Sequence, residues 1–192
     1  MSSILKVDTI QDSSGNNIIN ESSNTITIGA SGDTTNIIGT LQNDGASLAN
    51  TPSFHSTLGA DTTVSHDTLT VLPCNNTTFN IGSAYDTSTY KFTPQTAGKY
   101  YMYAYSQCNM SAGEANNCIT YLVKNSTTII SAESIFYDNS ATRLSSTAVA
   151  IIDLNGSTDF VQAKVLPARG SGTITLKSDS DTKTNFGGFK LL

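Results

Sequence analysis

The 192-residue sequence has no tryptophan, only four prolines and few charged residues. Lys, Arg, Asp and Glu together make up 13% of the chain, and the ten basic residues are scattered along it. A nucleic-acid-binding surface needs clustered Lys and Arg to neutralise phosphates, whereas the net charge here is -5. Scarce Lys and Glu also disfavour helices, while abundant Thr, Ile and Val suit strands joined by tight turns. The composition therefore predicts an all-β protein that does not bind nucleic acid.

Long apolar runs are also lacking. None is long enough to span a bilayer, so membrane insertion is not expected. The first residues, Met1–Asp8, lack the basic start and the long apolar stretch of a secretory signal. The composition is nevertheless that of a surface protein. A chain that works outside a cell but carries no export signal could reach the outside by lysis, as a virion component does.

Cysteine is sparse, with Cys74, Cys108 and Cys118 as the only examples. An odd number cannot form a complete disulfide framework. Cys108 and Cys118 flank a Gly-containing segment and could face each other across a hairpin. Buried free thiols are the alternative that we favour, because free Cys is among the most buried residue types. Three thiols without a nearby His argue against zinc.

Catalytic and cofactor motifs are missing too. His55 and His66 stand early in the chain without an obvious nucleophile, so a Ser-His-acid triad is not expected. No Gly-rich phosphate loop opens a helix, which leaves nucleotide binding without support. Asp179-Ser180-Asp181 is the best local calcium candidate, but its spacing matches no defined loop, and a solvated turn is favoured. The sequence thus predicts no enzyme activity, no cofactor and no metal.

Residues 1–50 differ from the remainder because they contain no aromatic residue. Their apolar residues come in short bursts, such as Ile18-Ile19 and Ile37-Ile38, separated by turn-forming residues. Such a segment cannot easily form a core alone, but copies stacked on one another could bury a shared apolar axis. A disordered linker is the alternative. The turn residues before Pro52 mark the boundary, giving an extended, β-rich arm over 1–50 and a domain over 51–192.

The stretch from Phe79 to Tyr105 organises the domain. It holds two strand-like runs around the turn Thr93–Gly98, in which Pro94 fixes φ. After Gly98 the pattern has period 2, so alternate side chains lie on opposite faces. Bulky groups on both faces predict a strand that is covered on both faces. Further strands are predicted at 52–56, 68–72, 118–124, 127–133, 145–153, 159–166, 172–177 and 184–191.

This stretch resembles the globular head of complement component one, subcomponent q, a jelly roll of the tumour-necrosis-factor superfamily. The family signature has an Asn, three aromatics and a Gly at fixed spacings, and Cys74, Met102 and Ala104 replace aromatics of that signature. The closing run Asn185–Leu192 resembles the last strand of the family, where Phe-x-Gly-Phe ends the domain. The resemblance covers residues 51–192 and implies a jelly-roll β-sandwich that forms a homotrimer. The signature residues are Asn80, Tyr85, Phe92, Gly98 and Tyr100.

The arm resembles the N-terminal pieces of tail-fibre and other virion proteins of marine bacteriophages. These often open with a Leu-Lys-Val-Asp-Thr-Ile-Gln run, found here at Leu5–Gln11. They continue with Thr-Ile-Thr-Ile-Gly-Ala strands, found here at Thr25–Ala30. The resemblance implies that residues 1–50 attach to other virion proteins.

Two groups of residues are candidates for recognition. Tyr101, Tyr103 and Tyr105 share one face of a strand, and such a patch with polar tips suits the homotrimer interface. Packing under the second sheet is the alternative for these tyrosines. The segment 109–117 is long and polar, which suits contacts with a host-surface glycan or protein. Its candidate receptor residues are Asn109, Ser111, Gly113, Glu114, Asn116 and Asn117.

The sequence as a whole predicts a non-enzymatic virion structural protein of a bacteriophage. In it a trimeric fibre or knob would be exposed on the particle and used for host attachment. A capsid decoration or head fibre without receptor binding is the first alternative. A secreted lectin-like module is an alternative of another class.

Overall fold

The computed structural model describes residues 9–11, 13–15, 17–22, 25–28, 31–36, 38, 42–43, 46–47, 50–110, 115–135, 142–169, 173–179 and 183–191. Strands joined by turns make up their regular structure, and these residues contain no helix. The all-β prediction is therefore confirmed. Within this part of the chain, no helix has the length and apolarity that a membrane crossing needs.

The chain divides into two compact units, Met1–Leu48 and Ala49–Leu192. The first contains a three-stranded antiparallel sheet in the order β1-β2-β3 and a two-stranded ribbon, β4-β5. The register places Ile10 beside Ile19 and Ile19 beside Ile28, so the three isoleucines form one row across the sheet. All three are exposed. The strands are β1 Thr9–Gln11, β2 Asn17–Ser22, β3 Thr25–Ile28, β4 Gln42–Asn43 and β5 Ala46–Ser47.

The second unit is a sandwich of two antiparallel sheets with the jelly-roll architecture that the sequence predicts. Most predicted strands are present, and several extend one or more residues beyond their predicted ends. The predicted strand 68–72 is an exception, since only two of its residues pair. The strands are β6 Ser53–Thr57, β7 Thr62–Val64, β8 Thr70–Val71, β9 Asn76–Ile81, β10 Tyr85–Asp86, β11 Lys91–Phe92, β12 Gly98–Met110, β13 Ala115–Lys124, β14 Thr127–Ile135, β15 Arg143–Leu154, β16 Val161–Arg169, β17 Ile174–Leu176 and β18 Asn185–Lys190.

The larger sheet is built around β12, which has thirteen residues. One edge of β12 pairs with β15 from Gly98 to Asn109. Its other edge pairs first with β18 and then, from Cys108 to Met110, with β17. Strands β6 and β9 continue the sheet beyond β18, and β7 continues it beyond β17. The smaller sheet has the order β10-β11-β16-β13-β14, and β8 also pairs with β16.

An aromatic cluster fills the core between the sheets. The Phe54 ring stacks on Tyr85 and Phe92 at centroid distances of 4.4 and 4.7 Å. Phe186 meets the same ring edge-on at 4.9 Å. Each of these side chains is buried. Because aromatic side chains bury the largest apolar areas, this cluster dominates the stability of the sandwich.

The signature residues explain part of this core. The Asn80 amide donates to the carbonyl of Tyr85 at 2.8 Å, and its oxygen accepts from the Tyr85 amide at 3.1 Å. Asn80 therefore closes the turn between β9 and β10 and directs Tyr85 inward, where its hydroxyl donates to the carbonyl of Cys74 at 2.7 Å. At the start of β12, Gly98 has φ +146, a conformation that favours glycine.

Cys108 and Cys118 do face each other, as considered from the sequence, but not across a hairpin. Cys108 lies in β12 and Cys118 in β13, but these strands belong to different sheets and do not pair with each other. The alternative is confirmed, since all three cysteines are free and buried.

Candidate interaction surface

Strand β12 separates two kinds of side chain by the alternation of its pleat. Its inward series, represented by Tyr100, Met102 and Ala104, is fully buried in the core. The outward series contains Tyr101, Tyr103 and Tyr105, which are half-buried on the outer face of the larger sheet. The three tyrosines thus lie on one face, as the sequence predicts. They do not pack under the second sheet, because that sheet covers the opposite face.

The neighbouring strands extend this surface on both sides. Tyr101 lies beside Ile151 and Phe189, and Tyr103 lies beside Val149 and Gly187. Beyond β18, the register brings His55 and Phe79 onto the same face. The exposed aliphatic and phenyl side chains on it are 37% to 61% exposed. We call the whole set the aromatic face; it comprises His55, Phe79, Ile81, Tyr101, Tyr103, Tyr105, Val149, Ile151 and Phe189.

Two adjacent glycines in β18 leave space for side chains on opposite faces of the larger sheet. A Cβ at Gly187 would collide with the phenol of Tyr103, so the absent side chain lets this ring lie flat over the strand. A Cβ at Gly188 would collide with the sulfur of Met102 on the core side. Each glycine therefore makes room for the β12 residue directly opposite it.

His55 and Tyr103 form the polar contact within the aromatic face. The Tyr103 hydroxyl lies 2.9 Å from Nδ1 of His55. The imidazole also stacks on Tyr103 and Phe79 at centroid distances of 6.0 and 6.3 Å. Partial burial of the ring lowers the pKa of His55 below its ordinary value, because desolvation disfavours the imidazolium. His55 is thus held in its neutral form beside an apolar surface.

A shallow groove of about 340 Å³ opens on this face. Its walls include the rings of Phe79, Tyr103 and Phe189, with Ser53 and Asn50 as polar neighbours. The groove lies entirely within the second unit. Its lining is mainly apolar with a few polar tips, which is a surface suited to receiving a protruding side chain from a protein partner.

The outer face changes character along β12. At the start of the strand, Lys99 pairs with Asp153 at 3.6 Å. The tyrosines follow, and beyond them come Gln107 and Asn109, with Thr175 beside Asn109 on β17. The surface therefore runs from an ion pair through an aromatic centre to a polar end. An apolar centre with a polar surround is the usual composition of a protein interface.

The candidate receptor segment 109–117 is shorter as a loop than the sequence predicts. Asn109 is the penultimate residue of β12, and Asn116 and Asn117 belong to β13. The Asn117 amide donates to Glu133 of the adjacent β14 at 3.1 Å. Ser111, Gly113 and Glu114 lie outside the described residues.

Charged residues gather near the same end of the larger sheet. Lys177 bridges two carboxylates, since its Nζ contacts Asp61 and lies 3.2 Å from Asp179. Arg143 lies 3.6 Å from the same Asp179 carboxylate. Asp179 therefore has cations as neighbours, and Asp181, the other half of the calcium candidate, lies outside the described residues. Among the described residues, no group of three or more His, Cys, Asp or Glu side chains is placed to hold a metal.

The two histidines make contacts with different kinds of side chain. His55 contacts the Tyr103 phenol, while the exposed His66 pairs with Asp67 at 3.1 Å. Neither of these two contacts is to a serine hydroxyl.

Sequence reasoning found the tyrosines but missed the rest of the aromatic face. Val149 and Ile151 follow a period of two within β15, which is a usable signal. Phe79, His55 and Phe189 come from strands far apart in the sequence, and only the pairing register brings them together. Local patterns carry no information about that register.

The comparisons with known proteins agree with this architecture. The family model of the C1q domain matches residues 54–191. Similar solved structures include the globular domain of zebrafish complement 1qA protein, with 16% identity, TM-score 0.53, and coverage of 73% of this chain and 98% of that chain. Murine APRIL at pH 5.0 has 12% identity and TM-score 0.55, with 72% and 98% coverage. Eiger TNF from S. frugiperda has 15% identity and TM-score 0.53, with 73% and 90% coverage. At such identities the structures share the fold alone.

No curated protein matches the chain significantly.

Proposed function

Because the chain belongs to the C1q-domain family, we propose that it is a non-enzymatic virion protein of a bacteriophage whose head assembles as a homotrimer through the aromatic face. Proteins with this fold are generally non-enzymatic binding modules, and domains of the family form homotrimers. The observation that carries the proposal is the aromatic face, which spans five adjacent strands of the larger sheet.

The chemistry of that face supports self-association. Exposed patches of this kind on soluble proteins commonly mark interaction sites, because leaving them in water is unfavourable. Tyr101, Tyr103 and Tyr105 offer large rings with polar tips, a combination enriched in interfaces. The flanking Ile151 and Phe79 would be removed from water in the same contact. A symmetric assembly of identical chains covers the same patch on each subunit.

The first unit supports the virion setting. Its row of Ile10, Ile19 and Ile28 is exposed on a small sheet that has no aromatic residue. Copies of the row could be covered by one another in a trimer, or by another virion protein. We therefore assign residues 1–50 to assembly and attachment, and residues 51–192 to an exposed knob. The likeness of Leu5–Gln11 to phage virion arms points in the same direction.

Host attachment is the role that we propose for the knob. Asn109 stands at the polar end of the outer face, beyond the tyrosines, and the polar segment that follows it in the sequence leads to Asn116 of β13. Polar side chains at that end suit hydrogen bonds to a glycan or a protein on the host surface. Three copies in one assembly would multiply weak contacts, since linked sites raise apparent affinity by about a hundredfold or more.

Adsorption competition tests this role. Purified protein is mixed with host cells before phage particles from the strain that carries the coding sequence are added. We expect a dose-dependent fall in adsorbed particles. A matched variant of the same length, with Ser111→Ala and Glu114→Ala, should remain assembled and compete poorly.

The other outcomes identify the alternatives. Gold-labelled antibody against the chain should decorate phage particles. Labelled particles without competition would favour a capsid decoration or head fibre that binds no receptor. Unlabelled particles together with chain in the medium would favour a secreted lectin-like module and overturn the virion assignment.

A further inference from the structure

Two thiols meet in the centre of the sandwich. Cys108 of β12 and Cys118 of β13 are both 0% exposed, and their sulfurs lie 3.1 Å apart. Each strand is an inner strand of its own sheet, so the contact joins the two layers. A disulfide has a sulfur–sulfur bond of about 2.05 Å, so a movement of about 1 Å would form one.

Hydroxyl groups surround this contact. Ser106 Oγ lies 3.3 Å from the Cys118 sulfur, and Ser146 Oγ donates to the same sulfur at 3.8 Å. Thr120 completes the cluster, with its hydroxyl 2.5 Å from Ser106 and donating to the carbonyl of Ser146 at 3.0 Å. The serine and threonine side chains are buried, so they act as fixed hydrogen-bonding groups around one sulfur.

The third cysteine shows what burial does without such neighbours. Burial raises the pKa of the Cys74 thiol to about 12. In contrast, the hydrogen bond from Cys108 and those from the serine hydroxyls lower the pKa of the Cys118 thiol, against the effect of burial. Because the thiolate is the nucleophile of cysteine chemistry, Cys118 is the reactive member of the three.

We propose that hydrogen peroxide converts Cys108 and Cys118 into a disulfide that joins the two sheets through the core. The Cys118 thiolate attacks one peroxide oxygen, the O–O bond breaks, and hydroxide leaves. Cys118 becomes a sulfenic acid. The Cys108 sulfur then attacks the Cys118 sulfur, losing its proton as hydroxide leaves, and water forms. In sum, two thiols lose two electrons and two protons, and peroxide is reduced to two waters.

The disulfide would connect residues ten positions apart, but its physical effect is to tie β12 to β13 across the sandwich. Cross-links stabilise mainly by restricting the unfolded chain. Peroxide is little larger than water, and brief local opening of the core gives it access. The head is thus built in reduced form and becomes more resistant to heat after oxidation.

Thiol counting on the full-length folded chain tests the proposal. The protein is treated with peroxide, quenched with catalase, denatured, alkylated and digested for mass spectrometry. We expect loss of two alkylated thiols, a cross-linked peptide pair containing Cys108 and Cys118, and an alkylated Cys74. Thermal unfolding of the oxidised protein should occur several degrees higher, and dithiothreitol should reverse the shift.

Variants sharpen the test. Cys74→Ser should form the same cross-link as the wild type. Cys108→Ser should stop at the sulfenic acid of Cys118, which dimedone traps. Three alkylated cysteines after peroxide treatment of the folded wild-type chain would overturn the proposal. So would a cross-link that contains Cys74, or a trapped sulfenic acid on Cys118 while Cys108 remains a thiol.

Discussion

The two faces of β12 contrast within one strand. Inward residues such as Tyr100 and Met102 are completely buried, and their role is to fill the space between the sheets. Outward residues such as Tyr101 and Tyr103 carry the same kinds of side chain but cover only neighbouring strands. Residue type therefore does not distinguish the core face of β12 from its outer face. What distinguishes them is whether this chain itself supplies the covering layer.

The largest expected effect comes from comparing adjacent tyrosines. Tyr100 is fully buried, packs edge-on against Phe92 at 5.5 Å and donates its hydroxyl to Thr96 at 2.6 Å. Tyr100→Ala should lower the free energy of unfolding by about 3–5 kcal/mol, because it leaves a cavity in the core. Tyr101→Ala, the matched control, should cost about 1 kcal/mol.

Urea unfolding at several protein concentrations checks both values. The effect of Tyr101→Ala should increase with concentration, since the outward ring acts on assembly. The effect of Tyr100→Ala should not. Equal, concentration-independent losses for the two variants would show that the faces do not differ in role.

Much of this contrast could be predicted from the sequence. The period of two after Gly98 separated the two sets of β12 residues, and turn residues located most strands. The partners of each face could not be predicted, because Phe79, Val149 and Phe189 reach it through long-range pairing. For the same reason the contact between Cys108 and Cys118 was expected across a hairpin and not across the two sheets, since nothing local shows that β12 and β13 enter different sheets. The candidate receptor segment 109–117 was predicted as one loop, but Asn109 belongs to β12, and Asn116 and Asn117 belong to β13, where tertiary pairing overrides their low strand propensity.

The glycine pair in β18 gives the second comparison. Gly188→Ala should destabilise the fold by about 1–3 kcal/mol, because the new methyl group meets the Met102 sulfur and the carbonyl of Tyr101 in the core. Gly187→Ala should destabilise it less and instead displace the Tyr103 ring on the outer face. Thermal unfolding reports the first effect, and loss of assembly reports the second. If Gly187→Ala lost more stability than Gly188→Ala, the account of Gly188 as the core-side glycine and Gly187 as the outer-face glycine would be wrong.

The smallest expected effect is the pH dependence that His55, on the aromatic face, adds to the free energy of unfolding. Its pKa in the folded protein is lower than the ordinary 6.5. The unfolded chain therefore binds the proton first, and the contribution of neutral His55 is full above pH 6.5 and is lost as pH falls below it. Because the ring is only partly buried, the loss should be roughly a few tenths of a kcal/mol.

The contribution of His55 is measured by following the free energy of unfolding of the wild type and of His55→Gln from about pH 7.5 to about pH 5. This window spans the ordinary pKa of histidine, and the contribution is the difference between the two curves of free energy against pH. Glutamine can keep a hydrogen bond to the Tyr103 hydroxyl but does not titrate. Parallel curves would show that His55 does not contribute, and a wild type that becomes relatively more stable in acid would contradict the sign.

The central claim is that a second and a third copy of the chain cover the aromatic face. Sedimentation velocity of the full chain at micromolar concentration tests it most directly, beside Tyr103→Lys, which places a charge at the centre of that face. The account predicts a wild-type mass three times the 20.3 kDa of one chain, and a folded monomer for the variant. A monomeric wild type, or a trimer that Tyr103→Lys leaves intact, would contradict it.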